Sequence, residues 1–353
     1  QRKNIFRYDY TLAVSAVNAK WVPCRMLKKG DKKLINAWAM YDWANSVYPL
    51  VITSAIFPIF YENNVPETVT FWGGTFNNTE LYSYVISASF LAVILLSPIL
   101  SGIAYYSGNK KTFLQLFCYL GAGSCAALFF FNAELLGLGL LTIFLASVGF
   151  WGSLVFYNSF LPEIAEPKDH DRISAKGFSL GYIGASVLMI SCLVFLSQMG
   201  NENVHYCFLM VGVWWAGFAQ VTYRRLPNNV YGHRPERGKI ISKGFLELRG
   251  VFREFMKTKR LKRYLASFFI FSMGVQTVML MAVMYAKEEI KSVGENGDII
   301  AIADNGLIIS VLIIQFVAVG GSIMFAFLSS KLGNLLALMV ATLMWVGICV
   351  VGY

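Results

Sequence analysis

Asp42 is the residue of this 353-residue sequence best placed to do chemistry, because it is a charged residue in an otherwise apolar run. Asn45 and Ser46 follow it at i+3 and i+4, so the three side chains share one face of a helix. Such a face suits a proton or the amino group of a solute, with the carboxylate as acceptor. The alternative is a hydrogen bond that holds this helix against a neighbour. We favour binding, because a neutral residue would serve packing at a lower free energy.

Other polar side chains also lie within apolar stretches. Amides and hydroxyls there are good ligands for a solute, but they equally often make hydrogen bonds between helices. The full set of candidates for binding a solute or a proton is Asp42, Asn45, Ser46, Tyr41, Tyr157, Asn158, Gln276 and Thr277. Gln315 is a further polar residue in an apolar stretch.

Three glycines, Gly177, Gly181 and Gly184, follow the spacing with which small residues let two helices approach closely. A phosphate-binding loop is the other use of such glycines, but it follows a strand, and no strand is predicted here. The stripe therefore predicts close helix packing.

Catalytic motifs are absent from the sequence. The three histidines, His170, His205 and His233, fall in separate predicted loops without the spacing of metal ligands. Neither a nucleophile elbow nor a Walker loop occurs. We therefore expect no enzyme, metal or cofactor, and a chain that moves a solute must draw on a gradient.

The composition indicates a membrane protein. Hydrophobic residues make up 56% of the chain and charged residues 14%, against about 25% charged in a soluble domain. A membrane span needs about 20 mostly apolar residues. None of the qualifying stretches alternates like a barrel strand, which predicts an all-α, polytopic helical fold. Nine stretches qualify: 35–60, 81–105, 112–131, 136–161, 178–196, 206–222, 265–285, 306–328 and 335–353.

The basic residues predict the orientation of these spans. Segments before the first span and after every second one carry 28 of the 30 lysines and arginines. Positive loops mark the cytoplasmic side, so we expect a cytoplasmic amino terminus. This distribution explains the formal charge of +10 without nucleic acid as a partner.

The spans divide the chain into four parts. We expect a cytoplasmic segment at 1–34, a six-span bundle at 35–222, a basic cytoplasmic loop at 223–264, and three further spans at 265–353. Within the loop, apolar residues at helical spacing among basic ones predict an amphipathic helix: Phe245, Leu248, Phe252 and Phe255. Such a helix favours the inner membrane surface, with a cytosolic protein partner as the alternative.

A repeated turn supports a transporter. Gly108-Asn109 and Gly333-Asn334 each occupy the predicted cytoplasmic turn between the second and third helices of a half. Two six-span halves, each made of two three-helix repeats, describe the major facilitator plan. We therefore expect a major facilitator-type bundle, truncated after nine of twelve spans. The predicted cytoplasmic gating residues are Gly108, Lys110, Lys111, Lys331 and Gly333.

Several motifs resemble the vacuole effluxer family of major facilitators. The resemblance is carried by Trp38-Ala39-Met40-Tyr41-Asp42-Trp43-Ala44-Asn45-Ser46, by Phe156-Tyr157-Asn158-Ser159-Phe160-Leu161-Pro162-Glu163, by Gly181-Tyr182-Ile183-Gly184 and by Gly274-Val275-Gln276-Thr277. It implies a twelve-span secondary transporter, and fungal members are associated with amino acid export from the vacuole. The chain departs from the usual pattern at Tyr105 and Ser330, where gating acids are usual, and at Met273, where family members often carry Asp.

The leading hypothesis is a gradient-driven transporter of small organic solutes, amino acids included, with alternating access around a midplane cavity and Asp42 as a proton or amine acceptor. The alternative is a non-transporting scaffold or receptor that binds a partner through residues 223–264. We expect a multi-pass protein of a bacterial inner membrane, with the vacuolar membrane as the alternative.

Overall fold

A computed structural model describes the course of the chain over residues 29–71, 73–228, 240–289, 291–293, 299–301 and 304–351. Within these ranges, the side chains of a smaller set are not described: residues 240–247, 251, 280–289, 291–293, 299–301, 304–305 and 307–308. The predicted segment 1–34 therefore lies mostly outside the described residues, and so do His233 and the side chain of Phe245.

Helices make up nearly all of the described chain. The α-helices are α1 (Lys32–Asn45), α2 (Ile56–Asn64), α3 (Asn78–Ser107), α4 (Lys110–Ala127), α5 (Leu136–Ser159), the one-turn α6 (Leu161–Ile164), α7 (His170–Met199), α8 (His205–Tyr223), α9 (Ile240–Lys257), α10 (Lys259–Glu289), α11 (Asp304–Leu332) and α12 (Asn334–Val351). Two antiparallel hairpins pair β1 (Thr68–Phe71) with β2 (Gly74–Asn77), and β3 (Lys291–Val293) with β4 (Ile299–Ala301). The hairpins lie in connections between long helices and were not predicted.

Eight helical stretches of the described chain are long and apolar enough to cross a membrane. They correspond to eight of the nine predicted spans, which confirms the all-α, polytopic fold. The predicted span at 265–285 lies within α10, and its last part falls among the residues whose side chains are not described.

Local sequence signals explain where several helices begin and end. The Asp31 carboxylate caps α1 by accepting from the backbone N–H of Lys33 at 2.8 Å. Both glycines of the repeated turn adopt the left-handed conformation, with φ of 70° at Gly108 and 84° at Gly333. This conformation ends α3 and α11, and it suits glycine because a Cβ is strained there.

The first span is not a continuous α-helix. Residues Tyr48–Ala55 form a π-helical segment between α1 and α2, with Pro49 near its start. Proline lacks a backbone N–H, so the regular α-helical hydrogen-bond pattern is interrupted there. Wide π turns are uncommon and recur at functional sites.

The buried core lies among α1, α2, α4, α5, α7, α8 and the π-helical segment. Helices α4 and α5 are in close contact where Gly121 and Gly149 face each other. A Cβ built on Gly149 would lie 2.4 Å from the backbone of Gly121, so neither position has room for a side chain. Phe57 organises an aromatic cluster on α2, with ring centroids 5.6 Å from Phe208 and 5.8 Å from Phe131.

The later helices join this core through α7. Ser179 on α7 lies 2.8 Å from Ser322 on α11, oxygen to oxygen. Near the end of α11, the Ser329 hydroxyl donates to Asp171 at 2.5 Å. Helix α9, which lies within the predicted loop at 223–264, is amphipathic and packs along α3. Its Phe252 is exposed while Leu248 and Phe255 are half-buried.

Candidate functional site

A cavity of about 430 Å³ lies between α1, the π-helical segment, α3, α5, α7, α10 and α11. Its size falls in the range of small-molecule sites, which is about 300–1,000 Å³. The polar residues that line it are Asp42, Asn45, Ser46, Tyr48, Thr53, Ser54, Ser147, Tyr157, Asn158, Ser174, Tyr182, Gln276 and Gln315. Apart from the tyrosines, Asp42 is the one ionisable residue among the described lining residues.

Asp42 is 7% exposed, and a residue of α5 donates a hydrogen bond to its carboxylate. The Tyr157 hydroxyl donates to Asp42 Oδ2 at 2.7 Å. The Tyr157 ring in turn stacks on Trp38, with centroids 4.4 Å apart and planes at 10°. The Trp38 indole N–H donates to the Tyr157 carbonyl at 3.0 Å. One carboxylate oxygen therefore has a fixed donor, and the orientation of that donor is set by two contacts to α1.

Helix α7 approaches α1 through the predicted glycine stripe. A Cβ at Gly177 would lie 2.3 Å from Asp42 Oδ2, and one at Gly181 would lie 2.4 Å from Ser46 Oγ. A Cβ at Gly184 would lie 2.8 Å from the Trp43 carbonyl. The interpretation of these glycines as a packing stripe matches this contact, and the stripe also leaves room for the Asp42 carboxylate.

Asn45 lines this cavity and has an unpaired side-chain donor. Its side chain is 1% exposed, and its Nδ2 has no hydrogen-bond partner among the described residues. Its Oδ1 accepts from the Ser46 hydroxyl at 3.5 Å. The Thr53 hydroxyl on the π-helical segment is also buried without a partner among the described residues. Buried polar groups without partners are costly, so Asn45 Nδ2 is suited to donate to a bound molecule, and the Thr53 hydroxyl to donate to it or accept from it.

Six of the eight candidate residues come together here. Asp42, Asn45 and Ser46 line the cavity from the first span, and Tyr157, Asn158 and Gln276 line it from α5 and α10. The other two do not line it. Tyr41 on α1 is fully buried, with its ring 5.0 Å from Tyr157 and 6.4 Å from Tyr223. Thr277 is exposed on α10.

Sequence reasoning missed several lining residues. On α7, Ser174, Phe178 and Tyr182 recur every four residues, and this stripe beside the glycines was a usable signal. Tyr48, Thr53 and Ser54 had no such signal. They face the cavity because the π-helical segment changes the angle between successive side chains.

The predicted gating residues lie at two turns. Lys110, at the start of α4, forms an ion pair with Glu163 of α6, and both side chains are 11% exposed. Lys111 donates to the Leu226 carbonyl at 3.1 Å. In the second turn, the Lys331 ammonium lies 4.6 Å from the centroid of the Phe327 ring. These contacts join the ends of helices; their gating role stays a prediction.

A larger groove of about 640 Å³ lies between α10 and α12. Its walls are apolar, with Phe271 and Trp345 among them, and its described lining residues carry no charge. Among the described residues, no group of three or more His, Cys, Asp or Glu is arranged to hold a metal ion. The smaller cavity, which has Asp42 and several other polar side chains in its lining, is therefore the stronger candidate for a solute site.

Comparison with known proteins points to one family. The profile of the family described as vacuole effluxer Atg22 like matches residues 30–353. The uncharacterized MFS-type transporter YxiO of Bacillus subtilis is 29% identical over 336 residues, which cover 93% of this chain and 74% of that protein.

Fungal proteins are similar at a lower level. Autophagy-related protein 22 of Pyricularia oryzae is 23% identical over 74% of this chain and 53% of its own length. Autophagy-related protein 22-2 of Aspergillus oryzae is 24% identical over 62% of this chain and 49% of its own length. The chain thus spans about half the length of these fungal relatives.

Proposed function

The chain belongs to the vacuole effluxer Atg22-like family of membrane transporters, and on this premise we propose that it carries small organic solutes by way of the cavity around Asp42. The observation that supports this function best is a cavity of about 430 Å³ whose lining residues include the buried Asp42 and Asn45, an asparagine with an unpaired amide donor. An ionisable residue within a membrane span ordinarily marks a substrate or ion path.

The proposed mechanism is alternating access driven by a gradient. The six-span part at 35–222 supplies Asp42 and most of the cavity wall, and the part from 265 onwards closes it with Gln276 and Gln315. Contacts between α7 and α11 connect these two parts, which move relative to each other in major facilitators. The amino terminus is proposed to be cytoplasmic, because basic loops are typical of the cytoplasmic side. The proposed membrane is that of a bacterial cell, with a vacuolar membrane as the alternative.

Proton linkage is part of the proposal and depends on Asp42. A protonated carboxyl group carries no charge, so lowering the pH removes the negative charge from the cavity wall. Binding of a solute through its ammonium group is then expected to weaken as the pH falls. Asp42→Asn removes the titrating group, so the variant is expected to show no such dependence.

The experiment is a thermal-shift screen of the purified full chain against amino acids, amines and other small metabolites at two pH values. A solute that binds the folded state raises the melting temperature. We expect at least one hit whose shift depends on pH in the wild type and disappears in Asp42→Asn.

Glu134→Gln is the matched control, because it makes the same carboxylate-to-amide change at an exposed position away from the cavity. It is expected to keep the hit and its pH dependence. A folded protein that responds to no solute would instead favour the scaffold hypothesis and the basic segment at 223–264.

A further inference from the structure

The charge of the cavity restricts which solutes it accommodates. Among the described residues that line it, Asp42 is the one acid, and lysine, arginine and histidine are absent. The carboxylate is 7% exposed, so it is largely removed from water. A buried charge is stabilised by an opposite charge with good hydrogen-bond geometry. The described wall offers Asp42 a hydroxyl from Tyr157 but no cation.

Aromatic rings provide a second feature of this wall. On α7, Phe178 and Tyr182 stack with ring centroids 6.5 Å apart. Across the cavity, Phe90 of α3 and Trp151 of α5 meet edge to face at 5.4 Å. Ring faces of tryptophan and tyrosine attract ammonium groups, and they pack well against the apolar body of an amine. A carboxylate receives no such stabilisation from a ring face.

The unpaired amide of Asn45 supplies a third feature. Its Nδ2 donates to nothing among the described residues, and it lies one helical turn from Asp42 on the same face. This donor can be satisfied by an acceptor on the solute, such as an amide carbonyl or a hydroxyl. A solute with an ammonium group and a neutral acceptor would meet both Asp42 and Asn45.

We propose that the ligands of this cavity are organic cations, namely amines without a free carboxylate, rather than zwitterionic amino acids. This inference rests on the proposed function, because it takes the cavity to be the solute site. A zwitterion would bring a second carboxylate beside Asp42, where the described wall has no base to neutralise it. The unfavourable interaction of the two like charges would weaken its binding relative to the matched cation.

The test compares three probes that share one benzyl group: phenethylamine, L-phenylalaninamide and L-phenylalanine. Affinities for the full chain in nanodiscs are measured by isothermal titration calorimetry at neutral pH. We expect both amines without a carboxylate to bind at least tenfold more tightly than L-phenylalanine, with L-phenylalaninamide the tightest.

Two variants assign this preference to Asp42. Asp42→Asn is expected to weaken the two cations at least tenfold and to remove the preference over the zwitterion. Glu134→Gln is expected to keep the wild-type order. The inference is overturned if L-phenylalanine binds as tightly as the amide or more tightly, and such a result leaves the proposed function standing. If none of the three probes binds a folded protein that gives a hit in the thermal-shift screen, the inference is likewise overturned while the proposed function stands.

Discussion

The helices of residues 32–223 and those of residues 259–351 bury their side chains to very different extents. The first set contains nearly the whole buried core, including residues such as Trp215 and Ile143 at 0% and 1% exposure. Among the described side chains of the second set, Ala337 is the one that is buried. The well-packed first set can therefore fix the position of Asp42. Helices α10 and α11 contribute Gln276, Met279 and Gln315 to the cavity wall, but most of that wall belongs to the first set.

The sharpest test of this contrast exchanges one glycine in each set for alanine. At Gly149, the new Cβ would lie 2.4 Å from the Gly121 backbone, which cannot rotate away. We expect Gly149→Ala to lower the free energy of unfolding by about 3 kcal/mol. At Gly347 on α12, nothing lies within 4 Å, and Gly347→Ala should be neutral or stabilising by up to about 1 kcal/mol. Reversible unfolding in mixed micelles measures the free energy of unfolding of both variants. Equal losses of stability in the two would contradict the difference in packing between the two sets of helices.

A second glycine pair separates positioning of the site from folding. Gly177→Ala brings a Cβ to 2.3 Å from Asp42 Oδ2 and 3.3 Å from the Tyr157 hydroxyl. Because the carboxylate must move, we expect solute affinity to fall at least tenfold while the protein stays folded.

Gly274→Ala on α10, where nothing lies within 4 Å, is the control and should bind like the wild type. Titration calorimetry gives the affinities, and circular dichroism checks the fold. Wild-type affinity in Gly177→Ala would show that the close contact does not position Asp42.

Tyr157→Phe has a smaller expected effect. It removes the 2.7 Å hydrogen bond to Asp42 but keeps the ring that stacks on Trp38. We expect solute affinity to fall about fivefold, or about 1 kcal/mol, because the carboxylate loses its oriented donor. The pH at which binding declines should also change, since Tyr157 no longer interacts with the ionised carboxylate. An unchanged pH profile together with unchanged affinity would remove Tyr157 from the site.

The smallest effect is expected at the wall contributed by the later helices. Gln276→Leu removes an amide that is exposed at its place on α10. We expect a loss of affinity below about threefold, because a polar group with access to water contributes little net free energy. The same calorimetric titration measures it. A loss as large as that of Asp42→Asn would mean that both parts of the molecule bind the solute equally.

Helical periodicity was sufficient to place the first-span face correctly. Asp42, Asn45 and Ser46 share one side of a helix at i, i+3 and i+4, and all three line the cavity. The same rule does not exclude Tyr41, which lies four residues before Asn45. Its place outside the lining depends on tertiary packing, because its ring lies against Tyr157 and Tyr223. The glycine stripe on α7 was also predictable, since small residues at regular spacing imply close contact.

Two parts of the site could not be predicted from local pattern. The π-helical segment Tyr48–Ala55 changes the spacing that a sequence argument assumes, so Thr53 and Ser54 enter the wall without a signal. Gln276 lines the cavity and Thr277 does not, although both are polar and adjacent. Which of the two faces inward depends on how α10 is rotated against its neighbours, and this is a matter of tertiary packing.

The central claim is that solute binds beside Asp42, and labelling of a cysteine in the cavity tests it most directly. Asn158→Cys places an accessible thiol at the wall, in a background where Cys24 and the exposed Cys349 are serine. The other cysteines, Cys118, Cys125, Cys192 and Cys207, are buried. We expect a solute that stabilises the chain in the thermal screen to slow maleimide labelling at least fivefold, and Asp42→Asn to abolish this protection. Labelling at the same rate with and without saturating solute would contradict the account.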